Sequence, residues 1–243
     1  MREYLTFRLY GPMASWGDIA VGETRPSHAQ PSKSAILGLL AAALGVDRQE
    51  EDIHRRLQQS YGFAVLVERP GTPLRDYHTT QTPTQASLKR QGGANTRGQE
   101  LQADDLGTIL SSRDYRCEAL YGIFLWTEGP DAPFSLQEMS LALENPRFHL
   151  YLGRKSCPPA LPLRPQIIQV DNLAQAVEQA DFDDCDLLAS LPRKGPKGFY
   201  WEGDRNEGFE PRYSFQRRDA LFSRRRWQFL VRDEHYLPLD EQA

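Results

Sequence analysis

Two short segments of this 243-residue chain carry residue types that bind phosphate groups. Residues 151–158 read Tyr-Leu-Gly-Arg-Lys-Ser-Cys-Pro, which combines a glycine, two adjacent cations and a hydroxyl. Residues 31–34 read Pro-Ser-Lys-Ser and come directly before an apolar stretch that predicts a helix. Glycine lets the backbone approach a ligand closely, and a helix N-terminus offers oriented N–H groups with a partial positive charge. Together the two segments predict contact with a nucleic-acid backbone, whereas each alone is also typical of an ordinary turn or an ordinary capped helix.

A second set of residues has the side chains for acid–base chemistry, namely His78 with Tyr77 and His149 with Lys155. A metal-independent ribonuclease needs a base for the 2′-hydroxyl, an acid for the leaving oxygen and a cation for the phosphate. These pairs supply such groups, so an endoribonuclease is the alternative to a binding protein. The sequence contains no nucleophile elbow, Walker loop or zinc-ligand spacing, and we predict neither a metal nor a cofactor.

The charges of the chain are segregated, although the formal net charge is only −4. Residues 145–170 hold four Lys or Arg and no acid, and residues 211–232 hold seven arginines and one aspartate. Residues 171–186, in contrast, hold six acids and no base. This pattern favours a protein that binds RNA along one face and proteins along another, although solvated helix faces also segregate charge. The odd number of cysteines and the lack of a secretion signal or membrane-spanning run predict a cytoplasmic protein without membrane contact.

Hydrophobic periodicity predicts the elements that would hold these residues in position. Strands are predicted at residues 4–10, 61–69, 117–127 and 148–152, and helices at about 32–44, 47–59 and 135–143. Without the second, polar helix, the order is that of the ferredoxin-like fold, an α+β fold that RNA-recognition domains share. One face of such an antiparallel sheet is expected to be open to single-stranded RNA. Further strand candidates at 166–170, 198–202, 213–216 and 227–231, with an acidic helix near 172–180, predict either a second small domain or an extension of the first.

Residues 79–116, between the second and third predicted strands, form an unusually long and polar insert. Its five basic residues are Lys89, Arg90, Arg97, Arg113 and Arg116. Inserts of this length in a compact domain are usually functional or disordered. We predict a projecting hairpin that orders on binding RNA or a neighbouring subunit, with a plain disordered loop as the alternative.

Several short motifs, in order along the chain, resemble one known family. They are Tyr4-Leu5, Gly11-Pro12-Met13 with Trp16-Gly17, Thr24-Arg25-Pro26, Pro31-Ser32-Lys33-Ser34, Leu37-Gly38-Leu39-Leu40, Leu44-Gly45, Leu74-Arg75-Asp76-Tyr77-His78-Thr79 and Tyr151-Leu152-Gly153-Arg154-Lys155-Ser156-Cys157-Pro158. Together they resemble the CasD family of type I-E Cascade, the CRISPR surveillance complex, within the fifth Cas family of repeat-associated RNA-binding proteins. The resemblance extends from residue 1 to about residue 165, and the C-terminal third matches mainly in length and in its basic and aromatic ending.

The resemblance implies a ferredoxin-like (RRM-like) RNA-binding palm over residues 1–157, with a projecting thumb at 79–116, and a β-rich extension or second small domain over residues 158–243. It implies a non-catalytic subunit that holds the 5′ handle of the CRISPR RNA in antiviral defence. The thumb would contact the backbone subunit, the large subunit would pack nearby, and target DNA would be met only through the complex. Type I-C relatives process their own CRISPR RNA, whereas in the type I-E pattern a separate endonuclease subunit does so.

Twelve residues form the predicted RNA-binding site, and none is assigned a catalytic role. Phosphates are assigned to Arg25, Lys33, Arg154 and Lys155, hydrogen bonds to Ser34, Gly153 and Ser156, and base or sugar contacts to Trp16, Tyr77 and His78; Arg75 and Tyr151 complete the set. Stacking on a base would make Trp16 worth about 1–3 kcal/mol of binding energy. Tyr151 either stacks on RNA or closes the core.

Overall fold

The computed structural model describes residues 1–182, 186–190, 195, 197–203 and 207–239. Its strands are β1 (Arg2–Ala14), β2 (Trp16–Gly17), β3 (Thr24–Arg25), β4 (Ser27–His28), β5 (Tyr61–Arg69), β6 (Thr72–Pro83), β7 (Leu106–Thr127), β8 (Gln166–Val170), β9 (Gly198–Trp201), β10 (Tyr213–Ser223) and β11 (Gln228–Pro238). Its helices are α1 (Lys33–Leu44), α2 (Glu51–Ser60), α3 (Gln85–Arg90), α4 (Arg97–Glu100), α5 (Leu136–Glu144), α6 (Leu173–Gln179) and α7 (Asp186–Ser190).

One large sheet organises this mixed α/β structure. Seven strands follow the order β10-β11-β9-β5-β7-β1-β8, and β3 and β6 also pair with β7. All neighbours in that seven-strand order are antiparallel; for example, Leu5 of β1 lies opposite Leu125 of β7, and Phe63 of β5 lies on the other side of the same residue. The C-terminal strands β9, β10 and β11 therefore continue the sheet that the N-terminal half begins.

Helix α1 forms where the sequence predicts it, because both of its ends are marked. The Ser32 hydroxyl accepts a hydrogen bond from the Ala35 N–H and caps the first turn. Gly45 ends the helix in the left-handed conformation, with φ of 80°, that a residue without a side chain adopts easily. Between them, Ile36 and Leu40 are fully buried against the sheet.

The strand predicted at residues 148–152 is wrong, because that segment is an irregular loop. Its backbone bonds to other loops and to a helix end: the Phe148 N–H donates to the Ala42 carbonyl at 3.1 Å, and the Leu152 N–H donates to the Cys157 carbonyl at 2.7 Å. Strand β8 pairs instead with the outer edge of β1. The aromatic residues at 148–152 suggest a strand, but Phe148 and Tyr151 are largely exposed rather than packed on the sheet.

Both faces of the central sheet are covered, which corrects the expectation of an open RNA-binding face. Leu5, Phe7 and Leu9 pack on one face with α1 and α5, and Tyr4, Phe124 and Trp126 pack on the other with α6 and Phe182. A Cβ on Gly122 would lie 2.2 Å from the Phe182 ring, so the glycine makes room for this cover. Phe182 and α6 lie far along the chain from β1 and β7, and for this reason the strand pattern alone does not reveal them.

The long insert forms a hairpin. Strand β6 pairs with the first half of β7 from Thr72 opposite Cys117 to Pro83 opposite Leu106. Helices α3 and α4 lie between these strands at the far end, and most of their residues are exposed. The second half of β7 then enters the central sheet, so one 22-residue strand connects the hairpin rigidly to the core.

Candidate nucleic-acid interface

A groove of about 620 Å³ opens between α1, the loop at residues 149–153 and the β10–β11 hairpin. Helix α1 contributes Ser34, Ala35 and Gly38 to its lining, and the loop contributes His149, Tyr151 and Gly153. The opposite wall consists of Arg217, Arg218, Asp219, Arg224, Trp227 and Phe229, and residues 17–20 close one end. The groove therefore combines exposed backbone, hydroxyl groups, aromatic rings and arginines, which is the mixture that single-stranded nucleic acid requires.

Three of the predicted site residues, Ser34, Tyr151 and Gly153, meet in this groove although they come from separate parts of the sequence. The conformation of Gly153 requires glycine, with φ of +84° and an ideal Cβ only 1.9 Å from the Ser15 carbonyl oxygen. Tyr151 is 42% exposed, which leaves its ring free to contact a ligand. The glycine therefore brings the 151–153 loop against the end of β1.

The basic turn, residues 153–156, runs from the groove to the base of the β6–β7 hairpin. The Arg154 Nε donates to the Ser15 hydroxyl at 2.9 Å, and its guanidinium lies 5.1 Å from the centre of the Tyr115 ring. These contacts fix the direction of Arg154 without neutralising its charge. Lys155 and Ser156 are exposed next to it. The turn thus presents two cations and a hydroxyl to solvent beside the groove.

Four further predicted residues lie along the β6–β7 hairpin or on β3 beside it, rather than in the groove. Arg25 of β3 lies opposite Arg113 of β7, while Arg75, Tyr77 and His78 lie within four residues of one another on β6. The Arg75 Nε donates to Asp114 at 2.8 Å, and this bond lowers the pKa of the Asp114 carboxyl. Tyr77 is 66% exposed. Arg75 and Tyr77 point to one face of this hairpin and His78 to the other, and the hairpin meets the basic turn where Arg154 approaches Tyr115 of β7.

Two predicted site residues are buried, and their assignments need correction. Trp16 is 1% exposed, and its ring packs edge-to-face on Tyr121 at 5.6 Å, so no indole face is open to a base. Lys33 is 4% exposed, and its ammonium forms an ion pair with Glu202. A phosphate would have to displace a buried carboxylate to reach Lys33. Both side chains therefore stabilise the structure rather than face a ligand.

The N-terminus of α1 is also occupied from within the protein. The Lys33 N–H donates to the Asp219 carboxylate of β10 at 2.9 Å, where the sequence suggests a phosphate. This carboxylate belongs to a buried network of six charged side chains: the cations Lys33, Arg217 and Arg232, and the anions Glu202, Asp219 and Glu234. Burial raises the pKa of Glu202 despite its cationic neighbours. Because the charges balance, the network anchors β10 and β11 to α1 without leaving a free cation.

The sequence did not indicate three residues near this wall: Arg224 and Trp227, which line the groove, and Arg48, whose guanidinium lies beside the Trp227 ring. The basic run at 211–232 indicates the region, but only the fold reveals which of its arginines are already neutralised. Arg217 and Arg232 belong to the buried network, whereas Arg224 and Arg48 lie 4.3 and 4.9 Å from the centre of the Trp227 ring. Within the described residues there is no cluster of metal-ligating side chains and no helix suited to crossing a membrane.

Comparisons with known proteins agree with one another. A model of the family described as "CRISPR-associated protein (Cas_Cas5)" matches residues 4–233. The Escherichia coli (strain K12) protein named "CRISPR system Cascade subunit CasD" is 36% identical over 171 residues, which cover 67% of this chain and 70% of that protein. A solved chain described as "CRISPR RNA-guided surveillance complex" has a TM-score of 0.64 at 24% identity and covers 97% of this chain and 89% of its own. Another, described as "Crystal structure of Cas protein", has a TM-score of 0.63 at 24% identity and covers 97% and 94%.

Proposed function

The chain belongs to the Cas5 family of CRISPR-associated proteins, and we propose that it is a non-catalytic RNA-binding subunit of a type I-E Cascade complex. In this role it holds the 5′ handle of the CRISPR RNA during antiviral defence. The proposal is supported by the family match over residues 4–233 and by the E. coli relative, which is named as a Cascade subunit. It follows from this role that the protein works in the cytoplasm and meets target DNA only through the assembled complex.

The observation that carries the proposal is the junction of the groove with the basic turn. Gly153 and Tyr151 line the groove, while Arg154 and Lys155 stand at its exit. A bound single strand of RNA stacks its bases on aromatic rings and places its phosphates near cations, and these contacts recur from one nucleotide to the next. Because both kinds of group occur along one continuous surface, we infer that the strand enters the groove and leaves over the turn towards β6.

Ten of the twelve predicted residues remain in the proposed RNA-binding site, while Trp16 and Lys33 are removed because they are buried. Ser34, Tyr151, Gly153, Arg154, Lys155 and Ser156 form the groove and its exit, and Arg25, Arg75, Tyr77 and His78 form the path along the hairpin. Because both sheet faces are covered, the RNA lies beside the sheet and not across it.

We further propose that β1, α1, β5, β7, α5 and β8 form a ferredoxin-like palm. In support, they follow one another as strand, helix, strand, strand, helix, strand, and the strands lie side by side as β5-β7-β1-β8. The palm spans residues 1–157 and borrows β8 from the C-terminal extension (158–243). The thumb (79–116) contains most of the β6–β7 hairpin and would contact the backbone subunit. The large subunit would pack nearby.

Recovery of RNA with the tagged protein from its host tests this function directly. If the chain holds a CRISPR RNA, it will co-purify with discrete short RNAs that share one 5′ end, and sequencing will identify that end. Recovery of bulk cellular RNA, or of none, would contradict the proposal. An adaptor that binds only proteins would retain the other subunits and no RNA.

Replacing Arg154 and Lys155 together with alanine is expected to weaken RNA binding while leaving the fold intact. Each phosphate contact that is lost reduces the number of released counterions, so the slope of log affinity against log salt should fall by about 0.7 per contact for a single strand. The measurement is fluorescence anisotropy of labelled RNA at several salt concentrations. The far-UV circular dichroism and the unfolding midpoint should not change, because Lys155 is exposed and Arg154 only partly buried.

Arg55→Ala with Arg56→Ala is the matched control for this double variant. These adjacent arginines lie on α2, away from the groove lining, and their removal changes the net charge by the same amount. The control should bind RNA with nearly the wild-type salt slope. Equal losses in the two variants would mean that only overall charge matters and that the turn is structural.

Incubation with repeat RNA in the absence of divalent metal is expected to leave the RNA intact. Tyr77 and His78 are neighbours on β6, and consecutive strand residues point to opposite faces, so they are poorly arranged as an acid–base pair on one phosphate. His149 lines the groove, but Lys155 does not. Denaturing electrophoresis checks the result. A 2′,3′-cyclic phosphate product that disappears with His78→Ala or His149→Ala would establish the endoribonuclease instead.

A further inference from the structure

One exposed indole at the groove wall has two guanidinium groups beside it. Trp227 is 54% exposed, whereas the other three tryptophans, all within the described residues, are each 1% exposed. Its φ is +58°, which is uncommon for a large side chain and indicates that the surrounding turn holds the ring in this position. The Arg224 and Arg48 guanidinium carbons lie 4.3 and 4.9 Å from the ring centre. Arg224 and Trp227 line the groove, and Arg48 reaches the same ring from the loop between α1 and α2.

Arg224 is in an unusual electrostatic position. Its Nε is buried and has no hydrogen-bond partner within the described residues. Burial, together with the nearby Arg48 cation, lowers the pKa of Arg224, and the Tyr151 phenol acts in the opposite direction. Its guanidinium lies over Gly38, with one nitrogen 3.6 Å from the position of a Cβ on that residue. The nearby Glu51 carboxylate accepts the Arg225 backbone N–H at 3.0 Å, and among the described residues no carboxylate forms an ion pair with the Arg224 guanidinium, although buried charges are usually paired.

The β10–β11 hairpin, which also carries Arg224, contains two buried arginines with a structural role. These are Arg217 and Arg232, and each forms ion pairs with Asp219 and Glu234. Arg217 and Arg224 both line the groove, but the Arg224 Nε has no hydrogen-bond partner within the described residues, and a ligand that supplies an anion would provide one.

We propose that Arg224, Arg48 and Trp227 form a nucleotide subsite, in which the guanidiniums bind one phosphodiester and the indole stacks on an adjacent base. The inference rests on the proposed RNA-binding function and extends it to a specific pocket. Arg48 is exposed and can move onto a phosphate, which frees the ring beside it. Arg224 remains beneath the ring, where its charge strengthens contact with both the phosphate and the indole. Tyr151, across the groove, supplies a second aromatic surface.

Tryptophan fluorescence measures this subsite directly, because Trp227 is the exposed tryptophan of the chain. The probe is a synthetic RNA that reproduces the 5′ end shared by RNAs recovered with the tagged protein, and anisotropy of its label reports binding separately. RNA should quench the indole emission and protect it from iodide. Trp227→Ala should weaken binding roughly 5- to 150-fold, the range expected for one stacked base. Alanine adds no backbone strain, because Trp227 itself already has a positive φ.

A series of RNAs, each with one abasic nucleotide, identifies the stacked base. One position should weaken binding to the wild-type chain but cause no further loss in Trp227→Ala, since the two changes remove the same contact. Trp227→Phe should retain most of the affinity. Phe222→Ala is the matched control, because Phe222 is a 59% exposed aromatic residue on β10 that does not line the groove.

Two results would overturn the subsite while leaving the proposed function intact. In the first, Trp227→Ala binds RNA with normal affinity and RNA does not quench the indole emission of the wild-type chain. The other is normal RNA binding by Trp227→Ala combined with loss of another Cascade subunit in a pull-down, which would identify the wall as a protein contact. Failure of the wild-type chain to bind RNA by anisotropy would instead reject the proposed function and the subsite together.

Discussion

Replacing Asp219 with alanine is expected to lower the free energy of unfolding by about 3–5 kcal/mol, because it leaves buried arginines partly uncompensated. The Asp219 carboxylate accepts hydrogen bonds from Arg232 at 2.6 and 3.0 Å and lies 3.5 Å from the Arg217 Nε. It also accepts the Lys33 N–H at the start of α1. One substitution therefore removes contacts between β10, β11 and helix α1, which lines the groove. Urea unfolding followed by circular dichroism measures the loss.

Two comparison variants separate this effect from a general loss of negative charge. Asp233→Ala removes an exposed carboxylate from the neighbouring strand β11, and it should change the free energy of unfolding by less than about 0.5 kcal/mol. Asp219→Asn keeps an acceptor for the Lys33 N–H but loses the charge, so it should fall between the other two. If Asp219→Ala is no less stable than Asp233→Ala, the buried charge network does not anchor the β10–β11 hairpin to α1.

Local sequence signals were sufficient wherever neighbouring residues determine the structure. Helix α1 could be predicted because Ser32 and Gly45 mark its ends, and β5 could be predicted because its apolar residues run without interruption between the polar α2 and a Pro-Gly turn. The glycine turn at 153 was also recognisable, since its positive φ and close backbone contact require glycine. These features depend on a few consecutive residues and need no knowledge of the rest of the chain.

Features that depend on distant residues were not predictable in the same way. The partner of Lys33 is Glu202, which lies 169 residues away, so the motif at 31–34 looked like a free cation at a helix start. The ring on which Trp16 packs belongs to Tyr121 in β7. The basic run at 211–232 signalled a positive surface, but the network had to be known before its neutralised and available arginines could be distinguished. Burial and pairing, rather than residue type, decide which of these side chains can meet a ligand.

Replacing residues 85–104 with Asn-Gly is expected to abolish assembly with the neighbouring backbone subunit while sparing the fold. Thr84 and Asp105 end the paired part of the hairpin, where the Thr84 N–H donates to the Asp105 carbonyl at 3.2 Å. Asn-Gly forms the two-residue turn that closes such a hairpin. The removed segment contributes little to the core: Ala103 and Ser87 are buried, but Leu101 is 42% exposed. Co-purification of the tagged variant with the other subunits measures assembly.

Hydrogen exchange distinguishes a thumb that orders on its partner from one that is stable alone. Ordering 20 residues costs roughly 1–2 kcal/mol of backbone entropy each, which the few buried side chains between residues 85 and 104 do not offset. Their amides should therefore exchange rapidly in the free chain and slowly in the complex, while the β5 and β7 amides of the central sheet stay protected in both. RNA binding through the groove should persist in the shortened variant, because every groove residue is retained. Strong protection across residues 88–109 in the free chain would contradict the proposed thumb, because the segment would then be stable without a partner. Normal assembly of the shortened variant would also contradict it, because the neighbouring subunit would then bind without the segment.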